Sequence, residues 1–511
     1  MAIVEPVESS GPRRRLRVRS PVTLEPIGEF DCASDDDVRA AVERARKAQA
    51  EWSTLSFDRR ARHLSRLVDA LVARQDEIID AVIAETGKAR AEAISMEIFA
   101  PCDAMTWYAK HAKKLLSPQR KRIHGVMGLA KKLRIVWEPL GVIGLITPWN
   151  GPIALTAVPL AQALMAGNAV VHKPSEVTPL SALVFKSLLD DAGIPPDLYQ
   201  VVQGDGETGA ALVESGVDKV SFTGSVATGR KVGEACGRLL IPCTLELGGK
   251  DAMIVCADAD LDRAADGAVF GSCMNTGHYC CGTERIYVVR DVYEPFVEKV
   301  MERAQRLRQG AEGEFDVGAV FWDRQLEIIE DHVEDARAKG ATVLMGGRRN
   351  PDLPGLFYEP TVVTDVSHDM ALMRDETFGP VVAIMQVNDE EEALRLANDS
   401  VYGLNGNVWT RDTDRGIRIA EAMQTGGVCV NDMAITYGLP EAPFGGRKQS
   451  GVGKVNGEMG LKGYCHPKPI SADRRGKGPI QGGYPYTRKG ERGMQKLIRL
   501  LFGTRLGRWL S

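Results

Sequence analysis

From Asp35 to about Lys114 the apolar residues recur at three- and four-residue spacings, as in Val38, Val42 and Ala45 and again in Leu64, Leu67, Val68 and Leu71. That period predicts amphipathic helices, with Asp35 as the first N-cap. Gly87 and Pro101 punctuate the helical region without dividing it into separate domains. From Leu133 the pattern changes to short β-branched runs alternating with helical stretches, the signature of a parallel α/β sheet. Val142 to Ile146 runs into Thr147-Pro148-Trp149-Asn150, Ala169 to Val171 into His172-Lys173-Pro174-Ser175-Glu176, and Val220 to Phe222 into Thr223-Gly224-Ser225. Each predicted strand thus ends in polar or small residues, and in an open parallel sheet those carboxyl ends line the ligand crevice. A second α/β unit is expected from about Met253 to Val430.

The two ends of the chain follow neither period. Residues 1–20 carry Arg13, Arg14, Arg15, Arg17 and Arg19 without an apolar segment, which reads as a flexible basic arm rather than a secretory signal. Residues 471–493 are rich in glycine, arginine and lysine and read as a linker. In 488–511, Met494, Leu497, Ile498, Leu501, Phe502 and Trp509 alternate with seven lysines and arginines. This is the pattern of an interfacial amphipathic helix, weakened by Gly503 and Gly507; a tail packed on protein is the other reading.

Composition narrows the function classes. A chain of 511 residues with 44% apolar content is expected to form two or three domains. A net charge of −4 gives no general footprint for nucleic acid. Ten scattered cysteines without a CxxC pair indicate neither a disulfide scaffold nor a zinc site, so no metal is expected and a reducing cytoplasm is the natural setting. No apolar run approaches the length of a membrane span.

The candidate chemistry centres on Asn275 to Arg285, NTGHYCCGTER. Adjacent cysteines rarely bridge to each other, so Cys280 and Cys281 are either a reactive thiol with its neighbour or two small buried residues. Gly224-Ser225-Val226-Ala227-Thr228-Gly229 lies at a predicted strand-to-helix turn, where a helix N-terminus favours a phosphate, although a plain serine-capped turn has the same sequence. Lys173 and Glu176 at a strand end are suited to ribose hydroxyls, or form a solvated loop pair. Glu246 sits between leucines ahead of Gly248-Gly249; burial there would raise its pKa toward that of a general base, and a paired structural carboxylate is the alternative.

Taken together, PWN at 148–150, KPSE at 173–176, FTGSVATG at 222–229, ELGGK at 246–250, GHYC at 277–280, ETFGP at 376–380 and PFGGRKQSG at 443–451 resemble the aldehyde dehydrogenase superfamily in order and spacing. The resemblance spans about residues 20–470. It implies Cys280 as nucleophile, Asn150 as oxyanion donor and Glu246 as the base that activates water for thioester hydrolysis. It further implies a cofactor site of Ile146, Trp149, Lys173, Glu176, Gly224, Ser225, Gly229, Leu247, Glu376 and Phe378. The cofactor is expected to be NAD, because a 2′-phosphate would meet Glu176; NADP is the less favoured choice.

The implied architecture is α/β: a Rossmann-like NAD-binding domain (21–118 and 140–247), an α/β catalytic domain (248–449) and a β oligomerisation arm (119–139 and 450–470), followed by the linker and basic tail (471–511). A homodimer or homotetramer in the cytoplasm is implied, with peripheral membrane contact through 488–511 as a further expectation. The nearest look is to bacterial succinate-semialdehyde dehydrogenases. However, Val158 and Met274 stand where such enzymes carry clamping arginines, which favours an uncharged aromatic or aliphatic aldehyde. His278 replaces a usual glutamine, Val455 a frequent glutamate, and Gly151 an aromatic residue.

Overall fold

A computed structural model describes residues 2–7, 13–477, 480 and 483–510. The chain divides into two compact units, one formed by 1–112 and 139–464, the other by 113–138 and 465–511.

Two sheets organise the larger unit. The first has six strands in the order Gly451–Val452, Cys243–Leu247, Lys219–Gly224, Val142–Ile146, Ala169–Lys173 and Tyr199–Val201. All neighbours are parallel except Gly451–Val452, which runs antiparallel beside Cys243–Leu247. The chain steps outward from Val142–Ile146 in one direction and then returns to its other side at Lys219–Gly224. The reversal leaves a crevice at the carboxyl ends of those two strands. Both faces are covered, so Val142–Ile146 and Ala169–Lys173 are buried at every position and read as continuous apolar runs rather than alternating ones. The helix between them, Ala154–Ala166, is buried along its whole length and ends at Gly167, whose φ of 97° a glycine adopts without strain.

The second sheet has seven strands in the order Thr342–Met345, Thr361–Thr364, Val381–Val387, Arg285–Val289, Ala252–Val255, Gly406–Trp409 and Cys429–Val430, antiparallel only at its first pair. A large apolar core lies on each face of it. The smaller unit is built on a three-stranded sheet of Cys465–Asp473, Lys131–Pro139 and Gln119–Lys121, followed by the helices Arg488–Phe502 and Arg505–Leu510.

Four expectations are corrected. Residues 4–7 and 15–19 are not a flexible arm: Val4–Val7, Arg15–Arg19 and Pro26–Asp31 form an antiparallel sheet. The arginines that suggested a free arm are paired across it, Arg17 with Glu29 at 2.7 Å and Arg19 with Glu5 at 2.6 Å; residues 1 and 8–12 lie outside the described part of the expected arm. Ser34, not Asp35, caps the first helix, its hydroxyl accepting from the Asp37 N–H at 3.2 Å in a reciprocal capping box. Residues 450–464 belong to the larger unit rather than to an arm, because Gly451–Val452 completes the first sheet. The expected linker is shorter than 471–493, since the strand continues to Asp473 and a helix starts at Arg488 with Thr487 as its cap; residues 478, 479, 481 and 482 lie outside the described residues.

Candidate active site

The loop that carries the cysteines leaves the helix Leu261–Cys273 through three successive left-handed residues, Asn275 (φ 56°), Thr276 (φ 56°) and Gly277 (φ 75°). Two of these are not glycine, a costly conformation that persists only where surrounding bonds impose it. Those bonds are present. Asn275 N–H donates to Glu92 Oε1 at 2.6 Å, and the Asn275 side-chain amide donates to the carbonyls of Asn150 (2.9 Å) and His278 (2.8 Å). Gly277 is there for space as well as φ, because a Cβ would lie 2.1 Å from the backbone of Gly379. The ETFGP segment is thereby brought against the cysteine loop.

The vicinal pair divides in environment. Cys281 is buried, lies 3.7 Å from the Ala434 carbonyl, and has its pKa pushed well up by that burial. Cys280 is partly exposed and packs with Tyr279 and Tyr437 against a cluster that includes Met433, Phe444 and Val455. Its carbonyl faces Gly249, where a Cβ would stand 2.9 Å away. Asn150 approaches from the first sheet and donates its side-chain amide to the His278 carbonyl at 3.0 Å, leaving a second N–H on the same nitrogen. Lys88 holds it from behind by donating to the Asn150 carbonyl at 3.1 Å while paired with buried Glu97 at 2.6 Å.

Glu246 lies on Cys243–Leu247 and is buried, with no hydrogen-bond partner for Oε1 among the described residues. Burial raises its pKa well above the usual carboxylate range; the Lys454 ammonium pulls it down and the Asp251 carboxyl pushes it further up. Burial, and then the charges of Cys280 and Glu246, push the pKa of the Tyr437 hydroxyl well up. His278 is a buried neutral imidazole, its pKa driven down to about 3 by burial, with Nδ1 3.0 Å from the Asn275 carbonyl. It packs against Trp149, Phe321 and Phe378 and carries no positive charge toward the thiol. A Cβ on Gly151 would make ordinary contact with Leu155 Cγ at 3.4 Å and stand 3.9 Å from Glu97 Oε1.

The remaining candidate residues gather at the same crevice. Lys173 pairs with Glu176 at 3.1 Å, and in the sheet register it stands beside Ile146. Ser225 caps Val226–Leu239 by accepting from the Thr228 N–H, and Gly224 stands opposite Leu247. A Cβ on Gly229 would lie 2.4 Å from Leu247 Cδ2. Glu376 accepts from the Gly249 N–H at 2.9 Å, would clash with a Cβ on Gly248 at 2.1 Å, and has its pKa pushed up to about 8 by burial and by the Glu284 charge. Phe378 meets Trp149 edge-on at 5.5 Å. A carboxylate and lysine at one strand end, a capped helix N-terminus at the next and glycines between them fit a dinucleotide.

Sequence reasoning missed the supports of this site. Glu284 was legible only as part of a family-like stretch, yet it accepts from Lys250 Nζ (2.5 Å) and from the backbone N–H groups of Thr377 and Phe378 (2.9 Å each), fixing the segment that presents Glu376 and Phe378. Glu92, Lys88 and Glu97 gave no signal, because the groups they hold at the site, on Asn275, Asn150, Ile153 and Ala154, lie far away in the chain.

The aldehyde dehydrogenase family profile matches residues 7–470. The chain belongs to the aldehyde dehydrogenase family. It is an NAD(P)-dependent oxidoreductase acting on the aldehyde group, and a Mycolicibacterium smegmatis protein carried under the provisional name succinate-semialdehyde dehydrogenase, NADP(+), is 42% identical to it over 89% of this chain and 87% of that one. The 4,4'-diapolycopene aldehyde oxidase of a Methylomonas species is 36% identical over 95% of this chain and 91% of its own length. Among solved structures, the Mycobacterium tuberculosis aldehyde dehydrogenase complexed with NAD+ superposes with a TM-score of 0.86 at 35% identity, covering 91% of this chain and 95% of that one. These matches establish for this aldehyde dehydrogenase the α/β fold expected from its strand pattern.

Proposed function

We propose that this aldehyde dehydrogenase oxidises an uncharged aromatic or aliphatic aldehyde to the free carboxylic acid, with NAD preferred over NADP. The observation that carries the substrate class is that Cys280, with Tyr279 and Tyr437, packs against an extended apolar core cluster. Val158 and Met274 add apolar side chains where a carboxylate-bearing substrate would need a cation.

In this reading the Cys280 thiolate adds to the aldehyde carbon, and the free N–H of the Asn150 amide, with the Cys280 backbone N–H, receives the developing oxyanion. A dinucleotide held by the crevice residues would supply a hydride acceptor, which would let the adduct on Cys280 become a thioester. Glu246, deprotonated, removes a proton from water; the resulting hydroxide attacks the thioester carbonyl, and the carbon–sulfur bond breaks to release the acid and the thiolate. Trp149 and Phe378 provide an aromatic wall, Lys173 and Glu176 the adenosine ribose contacts, Ser225 the pyrophosphate contact and Glu376 the nicotinamide ribose contact. Assembly as a homodimer or homotetramer and a cytoplasmic setting complete the proposal.

The test is an aldehyde panel read by NADH formation, with and without CoA. The proposal expects benzaldehyde and hexanal to exceed succinate semialdehyde in kcat/KM, no dependence on CoA, and NAD to exceed NADP. The provisional name of the 42%-identical relative supports a second reading, oxidation of succinate semialdehyde. A kcat/KM for that substrate far above the other two would establish it instead.

A further inference from the structure

The smaller unit has a charge unlike the rest of the protein. Residues 113–138 and 465–511 contain nineteen lysines and arginines against three acidic residues, in a chain whose net charge is −4. Two of those acids are already engaged inside the unit, Asp473 by Lys131 at 2.8 Å and Glu138 by Lys468. The larger unit is correspondingly acidic. Like charges crowded to this degree repel one another, and three acidic residues offset few of the nineteen cations.

A groove of about 1250 Å³ runs through this unit, between the segment from Arg120 to Arg134 and the end of the chain. Arg122, His124, Lys132 and Arg474 line it, together with Leu129 and Trp509. Leu129 is 82% exposed and Trp509 81% exposed, so large apolar side chains stand in water among the cations.

The helix Arg488–Phe502 repeats the combination in a linear form. Met494, Leu497, Ile498, Leu501 and Phe502 fall at i, i+3, i+4, i+7 and i+8, a single stripe, with Lys489, Arg492, Lys496 and Arg499 on the opposite face. No described side chain of this helix is buried, and Met494, Ile498 and Phe502 are each about half exposed. Leu497 and Leu501 are half-buried, and a helix that leaves the rest of its apolar stripe in water lacks the partner for which the stripe is suited. Among the described residues no helix is long and apolar enough to cross a membrane, so a contact through this face would lie in the plane of an interface.

We propose that the helices Arg488–Phe502 and Arg505–Leu510, with the basic groove that Arg508 and Trp509 help to line, are a docking surface for an anionic membrane, leaving the edge strand Cys465–Asp473 for a second copy of the chain. The stripe of Arg488–Phe502, with Trp509, enters the headgroup region, while the basic groove and the long side chains of the helix's polar face reach lipid phosphates from the water side. Charge selects this occupant over a neutral apolar partner, and the exposed stripe selects it over nucleic acid, whose phosphate backbone needs cations but no continuous apolar face. The surface is independent of the substrate assignment: the aldehyde panel and the lipid test succeed or fail separately.

The experiment is co-sedimentation of the full-length protein with phosphatidylcholine vesicles, with vesicles containing phosphatidylglycerol, and, in parallel, binding to a duplex DNA fragment. The expected result is binding to the anionic vesicles at low salt, release at about 0.5 M salt as the Debye length contracts, and little binding to phosphatidylcholine alone. R492E/K496E/R499E and I498S/F502S/W509S should each weaken vesicle partitioning by roughly tenfold or more while leaving aldehyde turnover in solution unchanged. Equal binding to neutral and anionic vesicles, no binding to either, wild-type partitioning of both variants, or tighter binding to DNA than to anionic vesicles would each overturn the proposal.

Discussion

At the scale of the residue, the division of labour between Cys280 and Cys281 follows from access. Cys280→Ala should abolish NADH formation, whereas Cys281→Ala should retain turnover with at most a modest loss of stability, of about 1 kcal/mol, from the small buried volume removed. Rapid-mixing kinetics and thermal denaturation separate the two. Glu246 carries a prediction of its own sign. Its folded-state pKa lies well above 4.5 because burial disfavours the charge, and a general base must be deprotonated to act. Thioester hydrolysis should therefore accelerate as pH rises through the raised value. Glu246→Gln should lose that limb, show a burst of NADH and then turn over roughly 10²–10⁴ more slowly. Linkage gives the same group a second readout: the stability it confers is present below its unfolded pKa and is lost as pH rises through its folded pKa. Glu246→Gln should thus gain stability relative to the wild type with rising pH, by on the order of 1 kcal/mol. Denaturant titrations at acid and alkaline pH, showing no change in the difference between the two proteins, would refute the buried titration.

At the scale of the element, the site depends on segments that are irregular for a reason. Gly277→Ala adds a Cβ where the Gly379 backbone already stands 2.1 Å away, at a φ of 75°. It should destabilise the protein by about 3 kcal/mol or more, with loss of activity even where the protein still folds. Glu284→Gln would loosen the clamp on Thr377 and Phe378. It should raise the KM for NAD more than the KM for aldehyde, and equal effects on both would argue for a general structural role. These segments also mark the limit of what the sequence disclosed. Strand ends, glycine turns and the cysteine loop were legible because chemistry constrains residue type at close spacing. Glu92 and Glu97 were not, since they act on Asn275 and on Lys88, Ile153 and Ala154 through tertiary contacts for which no spacing rule exists. The strand Arg15–Arg19 was hidden differently: its arginines were counted as charge, while the acids that pair with them stand on neighbouring strands.

At the scale of the whole molecule, the assembly proposal rests on an edge. Beyond Cys465 every residue of Cys465–Asp473 is exposed, a nine-residue strand of the kind that proteins cover or pair. Light scattering should give a mass two or four times 55.6 kDa, and a species of 55.6 kDa at micromolar concentration would contradict the oligomer. One further consequence belongs to synthesis. The strand that bears Glu246 is bordered on one side by Gly451–Val452, whose partner in register, Leu245, precedes Val452 by roughly two hundred residues. As the chain leaves the ribosome, Cys280 and Asn150 emerge long before that border strand, so the edge beside the base stays open until residues 451–452 have been made. A nascent chain arrested ahead of residue 451 would therefore hold the thiol and the oxyanion donor without a finished hydrolytic wall. Competence to release acid should appear last, with the emergence of the final strand of the sheet.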